Sequence, residues 1–184
     1  MQNYLDSSLK QFKYYKQLGD NCIAMLSFNE LHWLYNPQSN SISITVGHIV
    51  GNMLSRWTNL FTEDGEKEWR NRDAEFEPQF SSKKELVETW EGAWLLLFKT
   101  LNAITPGDYN KSVYIRNQGH TLTEAVNRQL CHYAYHIGQI VYVTRMIKGA
   151  TWQSLTIPKG ASEAYNKNKF DKPKNKSHFT DEFL

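Results

Sequence analysis

Two histidines one helical turn apart are the residues of this chain best placed to do chemistry. His132 and His136 lie in a proline-free segment, residues 121–147, that opens with a T-x-x-E capping pattern. A spacing of four puts both imidazole rings on the same face of a helix, where they can bind one metal ion. Tyrosine follows His132, so this is not the H-E-x-x-H pattern of a zinc peptidase. The pair taken alone also fits two histidines of a polar core.

The helix face around this pair carries apolar and amide side chains and no acid. At about 100° per residue, the face includes Ala125, Gln129, Gln139 and Val143. Gln129 and Gln139 are candidate substrate-binding residues, because an amide can orient a substrate through hydrogen bonds. No carboxylate on this face can serve as a general base, and this disfavours metal-assisted hydrolysis.

The best candidate for a third ligand is His48, which is centred in a second predicted helix over residues 43–61. That helix has a broad apolar arc and, opposite to it, a polar stripe that contains His48 and Asn52. Two interpretations are open. The stripe faces solvent, which the helix taken alone favours, or it lines a cleft in which Asn52 orients a substrate and Gly51 leaves space near His48.

Four long amphipathic helices position these side chains. They are predicted over residues 3–18, 43–61, 83–103 and 121–147. Gly19 is the expected stop of the first helix, a short helix is expected near residues 28–34, and a small hairpin is expected within residues 109–120. Long helices with little strand indicate an all-α four-helix bundle over residues 1–150.

Two polar segments lie outside this plan. Residues 62–80 form a long charged loop, in which Arg70 and Arg72 are candidates to bind a substrate carboxylate or phosphate. The composition of the loop favours the alternative that they pair with its own acids. Residues 151–184 are a polar C-terminal extension with a candidate short helix near residues 162–170. Two interpretations are open: this extension packs on the bundle, or its last residues trail away from it.

Composition and charge give no support for a nucleic-acid-binding, disulfide-rich or membrane-spanning protein. The 184 residues include 21 basic and 19 acidic side chains, for a formal net charge of +2. This balance gives no argument for nucleic acid or an anionic membrane as a partner. Cys22 and Cys131 do not define a disulfide framework. Since the chain shows neither a secretion signal nor an apolar run of about 18 residues, we expect a cytoplasmic protein.

These patterns together resemble the DinB-like metal-binding superfamily. The similarity rests on one histidine in the second long helix, the H-x-x-x-H pair on the fourth, and the segment VGHIVGNMLSRWTNLFTEDGEKEWRNRDAEFE at residues 46–77. That segment is similar to a bacterial branch of unknown function. The resemblance implies a bundle with up-down-down-up connectivity, frequent homodimers, and zinc or nickel held by His48, His132 and His136. It also implies that the His48 stripe faces a cleft.

The activity that the resemblance implies is transfer of a low-molecular-weight thiol, such as bacillithiol or mycothiol, to a small electrophile. A metal with an open position lowers the pKa of a thiol that it binds. Two alternatives stay open. One is a metal-dependent hydrolase, and the other is a non-catalytic, dimeric helical-bundle protein whose histidines form a structural metal site or a polar core cluster.

Overall fold

Six α-helices and one two-stranded hairpin make up the computed structural model, which describes all 184 residues. The elements are α1 Gln2–Met25, α2 Phe28–Leu31, α3 Ile42–Trp57, α4 Lys83–Asn102, β1 Val113–Ile115, β2 Gln118–His120, α5 Leu122–Lys148 and α6 Ser162–Phe170. The four long helices α1, α3, α4 and α5 pack around one hydrophobic core. The prediction of an all-α helical bundle with a small hairpin before the last long helix is confirmed.

Contacts between helix ends show how the four long helices run. Tyr4 donates a hydrogen bond to Asn127, so the starts of α1 and α5 meet. Lys83, at the start of α4, donates to backbone carbonyls at the end of α1, so these two helices are antiparallel. Thr100, late in α4, donates to the carbonyl of Trp57 at the end of α3, so α3 and α4 are parallel. The connectivity is therefore up-down-down-up.

Capping side chains set the starts of the helices. Thr121 accepts from the backbone N–H of Glu124, whose carboxylate accepts in turn from the N–H of Thr121. Such a reciprocal box satisfies two N–H groups that the helix leaves unpaired. At α4 the box is incomplete. Ser82 caps the helix by accepting from the N–H of Glu85, but the Glu85 carboxylate accepts from Ser81 and not from Ser82.

Two predicted helix ends are wrong. α1 continues through Gly19 to Met25, because Gly19 is needed for a close helix contact and not for a stop. A Cβ on Gly19 would lie 2.9 Å from Cζ2 of Trp90 in α4. α3 ends at Trp57, four residues before the predicted end, because Asn59 takes a left-handed conformation at φ 50°.

An aromatic cluster occupies the centre of the bundle. Phe12, Trp57, Trp94 and Tyr133 come from the four long helices, and none is more than 1% exposed. Their rings meet mainly edge to face, at centroid distances of 5.9 to 6.5 Å. Such pairs contribute about 0.5–1.5 kcal/mol each beyond the burial of their area. Since Tyr133 directly follows His132, the cluster holds α5 firmly at the level of the histidine pair.

Residues 58–82, which we call the crossing segment, run from the end of α3 to the start of α4 and are bound to the hairpin. The Asp64 carboxylate accepts from the backbone N–H groups of Arg116 and Asn117, which form the hairpin turn. Both turn residues have positive φ, as a tight two-residue hairpin loop requires. The segment is thereby held against the bundle at its N-terminal end.

The C-terminal extension forms α6 where predicted and then returns to the outer face of α1. There His178 Nε2 lies 3.0 Å from the Ser7 hydroxyl, and Lys10 pairs with Asp181 at 2.6 Å. Thr180 is fully buried. The division of the chain near residue 150 stays a prediction. None of the helices combines the length and the hydrophobicity that a membrane-spanning segment requires.

Candidate metal centre

Three histidines from two helices meet between α3 and α5. His132 and His136 leave the same face of α5, and His48 reaches them from the middle of α3. The Nε2 atom of His132 lies 3.2 Å from that of His48 and 3.1 Å from that of His136. One ring nitrogen from each histidine lies within 4.8 Å of the other two. Zinc–imidazole bonds of about 2.0–2.1 Å in a tetrahedral site place ligand nitrogens about 3.3 Å apart, so the two Nε2 distances from His132 suit a metal ion.

In their neutral, metal-binding forms, the three rings have too few hydrogen atoms to satisfy this arrangement without a further group. His48 Nδ1 donates to the Glu75 carboxylate at 2.9 Å, and His136 Nδ1 lies 2.9 Å from the amide oxygen of Gln139. When these two rings are in the neutral form that binds a metal, their Nε2 atoms carry only a lone pair. His132 has one ring hydrogen, so it can donate to at most one of them. A divalent cation that accepts three lone pairs removes this conflict, and the donor set therefore fits a metal.

The two histidine rings of α5 are held in the form that binds metals. Burial is the main cause that lowers the pKa of His132, to about 3, and the neighbouring His136 and His48 add to it. Burial also lowers the pKa of His136, and His48 adds to this effect although the hydrogen bond to Gln139 opposes it. Both rings are therefore neutral at pH 7, and a neutral imidazole is the ligand form.

Glu75 is the residue of this site that the sequence did not reveal. It lies on a short 3₁₀ turn, Asp73–Phe76, within the crossing segment, and it is only 5% exposed. Burial disfavours its charge, but the hydrogen bonds from His48 and Arg70 prevail and lower its pKa. The ligand-bearing helix faces carry no acid, as expected, so a carboxylate arrives from a loop. The space beside His48 expected at Gly51 was the available signal, because Glu75 fills it.

The two arginines considered as substrate ligands have partners inside the crossing segment. Arg70 binds both carboxylate oxygens of Glu75, at 2.7 and 2.9 Å, and it also reaches Glu66. Its side chain is 2% exposed. Arg72 places its guanidinium 5.3 Å from the ring centre of Phe76. For Arg70 the structure thus contains the ion pairs with the loop's own acids that the loop's composition favours.

The three candidate amides have different surroundings. The amide oxygen of Gln139 lies within hydrogen-bond distance of His136 Nδ1. Asn52 lies one turn after His48, is 6% exposed and accepts from the Tyr133 hydroxyl at 3.0 Å. That hydroxyl also accepts from Trp57 Nε1 at 3.0 Å. Gln129 is buried three residues before His132, and its amide oxygen has no hydrogen-bond partner. Asn52 and Gln129 thus line the interior beside the histidines, where a substrate contact stays a prediction.

The other histidines and the cysteines lie outside this cluster. Nδ1 of His32 faces the carbonyl of Phe28, and Nδ1 of His120 faces that of Gln118. Cys131 is exposed and so is not a core residue of this chain.

Fold and site together define a class, an all-α bundle with a three-histidine cluster suited to a divalent metal. A family model described as "Protein of unknown function (DUF1572)" matches residues 1–161, and the chain belongs to this family. The matched range ends one residue before α6 begins. No curated protein and no solved structure matches the chain.

Proposed function

We propose that this protein is a metal-dependent enzyme of the DinB-like superfamily that transfers a low-molecular-weight thiol to a small electrophile. His48, His132 and His136 would hold one divalent ion. The observation that carries this proposal is the convergence of three Nε2 atoms with too few hydrogens to share. Imidazole ligands suit both zinc and nickel. Three protein ligands leave a coordination position for a reactant, as in catalytic rather than structural sites.

The chemistry that a divalent ion supplies when bound is Lewis acidity, which lowers the pKa of a thiol that binds beside it. The chain's own groups hold and surround the reactants. Asn52 and Gln129 would orient them by hydrogen bonds, and the Tyr133 hydroxyl fixes Asn52 itself. In the transfer, the thiol loses its proton to solvent, a sulfur–carbon bond forms, and the leaving group departs with its electron pair.

The environment of Glu75 supports thiol transfer over hydrolysis. Hydrolysis assisted by a general base needs a carboxylate that can take a proton from water. Both oxygens of Glu75 already accept from Arg70, and one also accepts from His48. Because Glu75 is occupied in this way, it is poorly suited to act as the base. A thiol that has lost its proton needs no base at the moment of attack.

Metal content tests the first half of the proposal. We expect about one zinc or nickel per chain, by elemental analysis of protein purified without a polyhistidine tag. The variant with both His132→Ala and His136→Ala should contain none, while a variant of the remote His120→Ala should match wild type. Absence of metal from wild type, with no uptake on addition of zinc or nickel, would contradict the proposal.

Thiol binding tests the second half. Cobalt-substituted protein should develop a sulfur-to-metal charge-transfer band when a low-molecular-weight thiol is added. It should then release conjugate when a small electrophile follows. A site that binds metal but gives no such band and no conjugate with any thiol would favour the non-catalytic alternative, in which the metal only stabilises the bundle.

A further inference from the structure

A loop carboxylate buried against a candidate metal ligand is unusual, because loops generally keep their charges in water. Glu75 Oε2 accepts from His48 Nδ1 at 2.9 Å and from Arg70 at 2.9 Å, while Oε1 accepts from Arg70 at 2.7 Å. The exposed fraction of each of these three side chains is 6% or less. The contact therefore lies within the protein and is not a solvated surface pair.

Helix α3 is shaped to receive this loop. Gly47 and Gly51 flank His48 one helical turn apart, on the side that the loop covers. A Cβ on Gly51 would lie 2.4 Å from Glu75 Oε1, and a Cβ on Gly47 would lie 3.0 Å from the side-chain oxygen of Gln79. Any larger residue at 51 would push the carboxylate away. We call residues 70–79 the cap segment.

The cap segment also covers the ring of His48. Phe76 stacks on that ring at a centroid distance of 4.9 Å and an interplanar angle of 28°. Phe76 restricts the ring's tilt, and the Glu75 hydrogen bond sets which nitrogen carries the hydrogen. Both contacts leave the Nε2 lone pair of His48 directed toward His132.

We propose that Glu75 is a positioning residue for the metal site and that metal binding and docking of the cap segment are energetically coupled. This inference rests on the proposed function, because it presupposes a metal on the three histidines. A carboxylate that accepts from a ligand imidazole fixes the ring and makes it a better donor to the metal. Coupling is reciprocal, so a metal that favours the docked segment is itself held more tightly by it.

Metal affinity separates this role from that of a structural ion pair. We would measure zinc affinity by competition with a chromogenic chelator in wild type, Glu75→Gln and Gly51→Ala. Both variants should bind zinc about 10–100-fold more weakly. Gly51→Ala is informative because it displaces the carboxylate without changing any charge.

Two matched variants serve as controls. Glu66→Gln removes another carboxylate partner of Arg70 that has no contact with the histidines. Gly92→Ala adds a methyl group where nothing lies within 4 Å. Both should retain the zinc affinity of wild type. Circular dichroism confirms that every variant is folded before the affinities are compared.

Hydrogen exchange gives a second readout that does not depend on affinity. Zinc should slow amide exchange across the cap segment in wild type, and it should have a much smaller effect there in Glu75→Gln. Wild type that binds zinc, with Glu75→Gln and Gly51→Ala binding it equally well and no change in exchange, would overturn this inference. Wild type that binds neither zinc nor nickel would instead overturn the proposed function.

Discussion

At the scale of single residues, the site depends on hydrogen-bond partners that decide which ring nitrogens are available. Gln139 and Glu75 occupy Nδ1 of His136 and His48, so the Nε2 atoms of both face the centre of the cluster. The two partners differ in charge, because one is an amide and the other a carboxylate with a lowered pKa. His48 should therefore be the more electron-rich ligand.

Tyr133 is a second residue whose hydrogen bonds hold the interior beside the histidines. Its hydroxyl donates to Asn52 and accepts from Trp57, and burial raises its pKa, so the phenol stays protonated. We expect Tyr133→Phe to lower the free energy of unfolding by about 2 kcal/mol or more, because two buried polar groups lose their partner. Urea denaturation measures this change. Tyr135→Phe, on an exposed neighbour, is the control and should leave stability unchanged.

At the scale of elements, a close contact between helices explains why the end of α1 was predicted wrongly. The α1–α4 contact at Gly19 depends on the absence of a side chain, with Trp90 and Ile137 next to the position of a Cβ. The Trp90 indole donates to Asp20 at 2.7 Å and so holds this contact in register. A glycine that the sequence suggests as a helix stop is here a point of close contact between helices.

Gly19→Ala should destabilise the protein, and Gly138→Ala should not. The added methyl at residue 19 would force a shift of a fully buried indole, and overpacking of this kind costs about 1–3 kcal/mol. Gly138 lies in α5 with nothing within 4 Å of a Cβ, so alanine there should stabilise the helix by up to about 1 kcal/mol. Urea denaturation measures the change in the free energy of unfolding for each variant. Changes of opposite sign confirm the contact at Gly19, and changes of the same sign would contradict it.

Element positions were largely predictable, and the exceptions share a cause. The reciprocal cap of Thr121 and Glu124 and the apolar face of α4 follow from neighbours in sequence. The continuation of α1 beyond Gly19 follows from a residue about 70 positions away. Local patterns predict local hydrogen bonds, but they contain no information on which helix will approach a given glycine.

At the scale of the whole molecule, a metal between α3 and α5 would join two helices that are far apart in the chain. A ligand that binds only the folded state stabilises it, by about 2.7 kcal/mol at a free concentration of 100 times Kd. The same ion would be bound beside the crossing segment and the aromatic core, so its effect should extend over the whole bundle.

We therefore expect zinc or nickel at that concentration to raise Tm by roughly 5–10 °C, since each kcal/mol shifts Tm by about 2–4 °C in chains of this size. Differential scanning calorimetry on protein stripped of metal measures the shift. The variant with His132→Ala and His136→Ala should show none. A shift of equal size in this variant would mean that the metal binds elsewhere.

The sequence by itself determined the helices, their caps, the hairpin and the three histidines as candidate ligands. These features depend on spacing of 3.6 residues per turn and on side chains that bond backbone groups a few positions away. It also indicated that Arg70 would pair within its own loop, because acids surround it in sequence.

Only the tertiary structure decided that Glu75 meets His48, that Gly47 and Gly51 make room for the loop, and that the C-terminal extension returns to α1. Each of these contacts joins residues separated by a loop or by most of the chain. Their partners are chosen when the helices pack and the crossing segment closes, since only then do burial and charge pairing act between distant residues. The side chains that surround the histidines are all present in the sequence, but only the packing of the folded chain brings them together.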